Sequence, residues 1–169
     1  MKRCFIIIIA ILFCWSAVNS SVKVQLPAWF GQLTDDDVVS GFGQAESPIF
    51  RSASSRATAF AMADAKASVD IFLNKITDVI IIEVANKNME LIEKIEAISK
   101  NISNQRFTSA KIHQSEVIDM DNGNFMAFIH YTIPKKEIIS LYLNEIFYEE
   151  NLYKFVKDTN SFKELEQKN

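Results

Sequence analysis

Cysteine is nearly absent, and its placement matters more than its number. The chain has two, Cys4 and Cys14, both inside the first twenty residues. Beyond them the sequence offers no disulfide, no thiol nucleophile and no thiolate metal site. Glycine and proline are also scarce, at 4 and 3 in 169 residues, which implies few long loops. The phosphate-cradling GxxxxGK[ST] pattern is missing, as are GxSxG and HExxH, so the common nucleotide and hydrolase motifs are excluded. What remains is 49% apolar with 13 Phe. That is enough for one globular domain with a real core, and not comfortably for two.

The beginning of the chain reads differently from the rest. MKRCFIIIIAILFCWSAVNS carries Lys2 and Arg3, then an uncharged, mostly apolar run from Phe5 to Val18, 14 residues long. Spanning a bilayer takes about 20. Val18 and Ser20 are small residues three and one before a cut between Ser20 and Ser21, so residues 1–20 are predicted to be a secretory signal peptide. An uncleaved N-terminal anchor is the alternative. Cys14 is a candidate lipid acceptor, but bulky Phe13 stands where lipoprotein processing wants a small residue. Without Lys2 and Arg3 the chain keeps 16 basic against 21 acidic residues, a balance of −5. An acidic exported chain is a poor partner for nucleic acid.

Residues 21–37 read as an extended lead-in, broken by Pro27, Gly31 and Asp35-Asp36-Asp37. VVSGFGQAE then reads as a strand near 38–46, ended by Pro48. Gly41 and Gly43 match the first two positions of a dinucleotide fingerprint, but Glu46 occupies the third, where a carboxylate would repel a pyrophosphate. The glycines are better explained as room for a neighbouring helix. Such a helix follows, with Ser54 or Ser55 as its predicted N-cap. Ala57, Ala61 and Ala65 form one small-residue stripe, Ala59, Ala63 and Ala67 a second, and Ile71, Phe72 and Ile76 extend the buried surface. TDVIIIEVANK, with five Val or Ile, favours a strand, with a continued buried helix as the near alternative. Leu91, Ile92, Ile95 and Ile98 mark a second helix.

A hairpin is predicted over 109–133, turning at Asn122-Gly123. A two-residue turn there pairs Met120 with Phe125, Ile118 with Ala127 and Ile112 with Ile133. The core face then holds Ile112, Ile118, Ala127, Ile129, Tyr131 and Ile133. The opposite face holds His113, Val117, Met126, Phe128 and His130 among polar residues. Pro134 opens a last helix with two apolar stripes, one running Ile138, Ile139, Tyr142, Ile146, Tyr153 and Val156, the other containing Leu141, Tyr148 and Phe155. The end, TNSFKELEQKN, reads as a polar tail. The fold class expected is α+β: a small antiparallel sheet packed by a long alanine-rich helix, a second helix and a C-terminal helix.

Candidate site residues are few. His113 and His130 fall on one sheet face as diagonal neighbours within side-chain reach. Two imidazoles lack the further ligand a metal needs, so no metal and no cofactor are predicted. Asp64 reads as a solvent-edge or capping carboxylate. Trp29, beside Pro27, reads as an anchor for the lead-in or as a ligand contact.

Taken together, these residues resemble a family. Pro27-x-Trp29, Gly41-x-Gly43-x-Ala45, and a helix carrying Ala57, Ala61, Asp64, Ala65 and Lys66, closed by a strand pair and a helix, are similar to the LPP-twenty family of small envelope lipoproteins. That family in turn resembles the outer-membrane-associated disk proteins of some polar flagellar motors. The similarity spans residues 27–146, the domain proper being 38–146 and 147–169 a C-terminal extension. It implies long helices on a small antiparallel sheet, envelope location, self-association and no catalytic residues. The poor acceptor context of Cys14 departs from the family and leaves membrane association indirect. The expectation is therefore a non-enzymatic exported envelope protein that assembles with itself or with envelope partners, in a flagellar or other surface complex. The assembly surface would be Leu141, Tyr148 and Phe155 with Val117, Met126 and Phe128. The alternative is a periplasmic binding module, with Trp29, His113 and His130 as ligand contacts.

Overall fold

The structure, a computed structural model, describes residues 24–33, 35–84 and 89–169. The signal-peptide reading, Ser20-Ser21 and Cys14 lie outside them. The fold is α+β, as expected. Strand β1 (Val38–Ser47) leads into helix α1 (Phe50–Val84); helix α2 (Met89–Ser103), strands β2 (Lys111–Asp119) and β3 (Phe125–Pro134), and helices α3 (Lys135–Tyr148), α4 (Glu150–Val156) and α5 (Asn160–Lys168) follow. The strands form one antiparallel sheet in the order β1-β3-β2. No helix among the described residues is long and apolar enough to cross a membrane.

Helix α1 organises the molecule. It has 35 residues, roughly 50 Å at 1.5 Å per residue, and TDVIIIEV continues it without a break. Its entry is earlier than predicted: the backbone N–H of Ile49 donates to Ser47 Oγ at 3.2 Å, and the N–H of Ala53 already donates to Ile49 O. Ser54 and Ser55 therefore lie inside the helix and cap nothing. Its buried residues are Ala53, Ala57, Ala61, Ala65, Val69, Leu73, Thr77, Ile80 and Val84. A step of four residues overshoots one turn by about 40°, so this line winds around the helix as it advances. The alanines meet the sheet, with Ala45, Ala127 and Ile129. Past them, Val69, Leu73, Ile80 and Val84 meet a second core shared with Ile95, Ile102, Ile138 and Tyr142. The winding moves the buried face from sheet to helices. Ala59, Ala63, Ala67 and Ile71, expected to be buried, are exposed, because each lies two residues, about 200°, past a buried member of that line and so on the opposite side of the helix.

Close approach explains the glycines. A Cβ on Gly41 would stand 2.1 Å from Ala65 N and 2.2 Å from Ala61 O; one on Gly43 would stand 2.0 Å from Ala57 O. Helix backbone thus lies directly on strand backbone. The helix also covers the open edge of β1: the N–H of Phe42 donates to Asp64 Oδ2 at 2.8 Å, and Arg56 reaches Glu46 O at 3.4 Å. Asp64 is a capping carboxylate, and what it caps is a sheet edge.

The hairpin register differs from the expected one by a residue. Met120 N–H donates to Asn124 O and Gly123 N–H to Met120 O, so the loop is Asp121-Asn122-Gly123, with Gly123 at φ +81°. Asn122 Oδ1 accepts from the N–H of Asn124 and favours this three-residue form. Val117 consequently pairs with Ala127, and Ile118 with Met126. One residue of slip exchanges the two faces of β2. Val117 turns toward the helix layer and Ile118 away from it. A bulge between Ile112 and Gln114 restores the original parity for Ile112 and Lys111.

The C-terminal part is not one helix. Glu149, at φ −91° and ψ 81°, breaks it, and α4 and α5 fold back. TNSFKELEQKN, expected to be a polar tail, forms α5 and buries Phe162 and Leu165. Thr159 Oγ1 caps it by accepting from the N–H of Phe162. Glu83 of α1 accepts from both the N–H and the hydroxyl of Ser161. Phe147, Tyr153 and Phe162 interlock at this corner, with ring centroids 4.7 to 6.0 Å apart.

Candidate functional site

The sheet has one face under α1 and one face turned away from it. Strand alternation puts Ser40 and Phe42 of β1 and Phe128 and His130 of β3 on the far face. The lead-in closes over them. The N–H of Phe30 donates to Pro27 O at 2.9 Å and that of Gln32 to Trp29 O at 3.2 Å, and Gly31 adopts φ +79°. This tight turn aims two aromatic rings at the sheet. Phe30 packs edge-on against Phe42 at 5.6 Å and Phe128 at 5.2 Å. The His130 ring lies nearly parallel to Phe42 at 4.5 Å and to Trp29 at 6.5 Å. His113 meets His130 edge-on at 5.1 Å.

The two histidines thus come together, by a route the periodicity did not contain. The slipped register would have sent His113 to the helix side. The bulge inserts it as the extra residue beside Gln114, opposite His130. His130 is 2% exposed. Its Nε2 is 3.0 Å from Ser40 Oγ, and its Nδ1 is buried without a partner among the described residues. Burial, and then the neighbouring His113, hold its pKa below the ordinary histidine value. No group of three or more His, Cys, Asp or Glu among the described residues is placed to hold a metal. Trp29 and His113, two of the candidate ligand contacts, thus both pack on the third, His130. Phe30, Phe42 and Ser40 complete the cluster. Sequence reading passed over them, although Phe42 sits between the two glycines at the alternation that faces away from α1.

The candidate assembly surface is dispersed. Phe128 is 1% exposed under Phe30 and so cannot serve as an exposed contact, and Val117 is half-buried, packed toward Ala127 on the helix side. Met126 is half-buried, and Leu141 packs against the main core. Tyr148 and Phe155 are exposed, but the break at Glu149 places them on separate helices instead of one stripe. The exposed apolar residues that share a face are on α1: Phe60, Ile71 and Ile82, spaced by 11 residues and so turned by about 20° per step, about 40° from first to last. Ile82 is 76% exposed and Ile71 57%. Both point away from the buried line ending at Ile80 and Val84, which is why a search for one buried stripe missed them.

A cleft of about 730 Å³ lies where α1, α5 and the β3–α3 junction meet. Its floor is Phe72, Ile76, Ile139 and Leu165; Lys135, Lys136 and Lys168 stand with Asp36 and Asp37 around it. Lys135 is engaged, donating to Asp36 O and lying 5.6 Å over the Phe72 ring. Cations and carboxylates are interleaved, so no ligand class is singled out.

Compared with protein-family models, curated proteins and solved structures, the chain matches none.

Proposed function

We propose that this chain is a non-enzymatic exported envelope protein with a structural or assembly role, in a flagellar motor disk or another surface complex. The observation that carries the assembly role is helix α1. Its inner line is committed to the core, yet Phe60, Ile71 and Ile82 present a second apolar line to solvent along the same rod. A helix apolar on two sides has contacts beyond its own domain. The signal-peptide pattern of residues 1–20 and the resemblance to the LPP-twenty family support export and an envelope setting. Self-association through α1 is the form the reading takes.

Two measurements test it. Sedimentation of the chain across a concentration series should show a species larger than the monomer; a strict monomer at high concentration would remove the self-assembly part. A deletion strain should lose motility or motor structure, and fractionation should place the tagged protein in the envelope. Normal motility would remove the flagellar setting, and a tagged protein left in the cytoplasm would remove export.

A further inference from the structure

We propose that the His130–His113 pair is a proton-operated latch: protonation releases the lead-in strap of residues 24–33 from the sheet and uncovers an aromatic face. The strap contributes Trp29 and Phe30, and both rings stand on a surface whose centre is a buried imidazole. Because Nδ1 has no partner among the described residues, the neutral ring is best served by the tautomer in which Nε2–H donates to Ser40 Oγ and Nδ1 keeps its lone pair. That is tolerable. In the imidazolium, Nδ1 becomes an N–H with no acceptor, and a full charge occupies a nearly dry site.

The groups around His130 give that charge little compensation. On β2, His113 touches it and supplies no negative charge; Lys111 and Glu116 follow on the same face, opposite Thr132 and Phe128. On β1, its neighbours Ser40 and Phe42 are uncharged. Glu46, farther along, accepts from Asn124 and Asn122. Asp64 of α1 is occupied at the strand edge by the Phe42 N–H. The strap itself, VQLPAWFGQL, carries no charge. Stacking on Phe42 and Trp29 offsets part of the cost of an imidazolium, but only water reaching Nδ1 satisfies the new donor. Lifting the strap admits that water. The strap is built to lift: among the described residues its backbone bonds are its own, Phe30 to Pro27 and Gln32 to Trp29, and its contacts with the sheet are made by rings.

Because the folded pKa of His130 is lowered, the closed form is fully favoured above about pH 6.5, the unperturbed value. It is lost as pH falls from there through the folded value. The test uses the full chain with Trp15→Phe, so that Trp29 is the one tryptophan. Emission maximum and acrylamide quenching are followed from pH 8 to 5, with far-UV circular dichroism alongside. Both are needed because an imidazolium quenches a nearby indole without any movement. The expected result is a reversible red shift and at least a twofold rise in quenching, at constant helix signal, with a midpoint matching the NMR titration of the His130 ring. His113→Gln should move that midpoint to higher pH, because a repelling neighbour is gone. His130→Phe, which keeps the stacking and removes the proton site, should abolish the transition. Should that variant not fold, the His113→Gln shift and the NMR match decide. A Trp29 environment constant across the range, or a transition independent of both histidines, overturns the proposal.

Discussion

Gly41 and Gly43 are both in ordinary extended backbone, so neither is needed for conformational freedom. Each is needed because the space a side chain would fill is occupied by the backbone of α1. Gly43→Ala would bring Cβ to 2.0 Å from Ala57 O, and no rotamer change relieves a backbone contact. We expect Gly41→Ala and Gly43→Ala each to cost at least about 3 kcal/mol, the upper range for overpacking. Gly123 provides the contrast: it has φ +81° and open space around it. Gly123→Ala should cost about 1–2 kcal/mol, the strain of a left-handed residue alone. Urea unfolding of the three variants checks the order; equal losses would mean that the strand–helix contact is softer than the geometry requires.

Elements are tied together here by carboxylates placed to meet orphaned donors. Asp64 completes the edge of β1 by accepting from Phe42. Asp64→Ala should destabilise by about 1–2 kcal/mol, and Asp64→Asn, which keeps an acceptor, by less; urea midpoints distinguish them. Glu137 of α3 accepts from the N–H and hydroxyl of Thr108 and from the N–H of Ser109, fastening the loop that precedes β2. Burial works against its charge, but these bonds outweigh it, and its pKa is lowered. The Glu83 carboxyl is lowered chiefly by the Ser161 hydroxyl, against some burial, helped by the backbone N–H groups of Ser161 and Asn160. Groups lowered on folding stabilise fully above their unfolded pKa of about 4.5 and lose that contribution as pH falls through the folded value. The melting temperature should therefore drop below about pH 4.5, and less steeply in Glu83→Gln and Glu137→Gln. A Glu83→Gln chain whose acid slope matches the parent would remove the capping role. Tyr142, pushed up to about 12 by burial despite its bond with Thr77, stays neutral through this range and contributes nothing to the slope.

At the scale of the molecule, one long helix divides its surface between two jobs. The inner line winds from sheet to helices and holds both cores; the outer line, Phe60, Ile71 and Ile82, is exposed. If that line mediates self-association, Ile71→Glu with Ile82→Glu should shift the sedimenting species to monomer and leave the melting temperature within about 2 °C, since neither residue is in the core. Loss of fold instead of loss of assembly would mean that these side chains are structural. Tyr148→Ser and Phe155→Ser, on separate short helices, should leave assembly unchanged.

How much of this was legible follows from the range of the forces involved. Local chemistry wrote the strand, the alanine helix, the hairpin and the α+β class into the sequence, because turn residues and periodicity act over a few positions. It also placed Gly41 and Gly43 against a helix, since small residues four apart have few other uses. Three things required the tertiary structure. The three-residue loop around Asn122-Gly123, whose asparagines both donate to Glu46 of the distant strand β1, exchanged the faces of β2. The bulge at His113 is a compromise between strands that no single strand encodes. And α5 is a helix because its Phe162 and Leu165 find a groove against α1, with Glu83 supplying the cap. Sequence by itself determined most of the helix and strand segments, α5 and the end of α1 excepted; packing decided those two and which side of each element is inside. Side chains repeat every 2 or 3.6 residues, whereas a one-residue slip or a 40° turn is settled only by the surface across the interface.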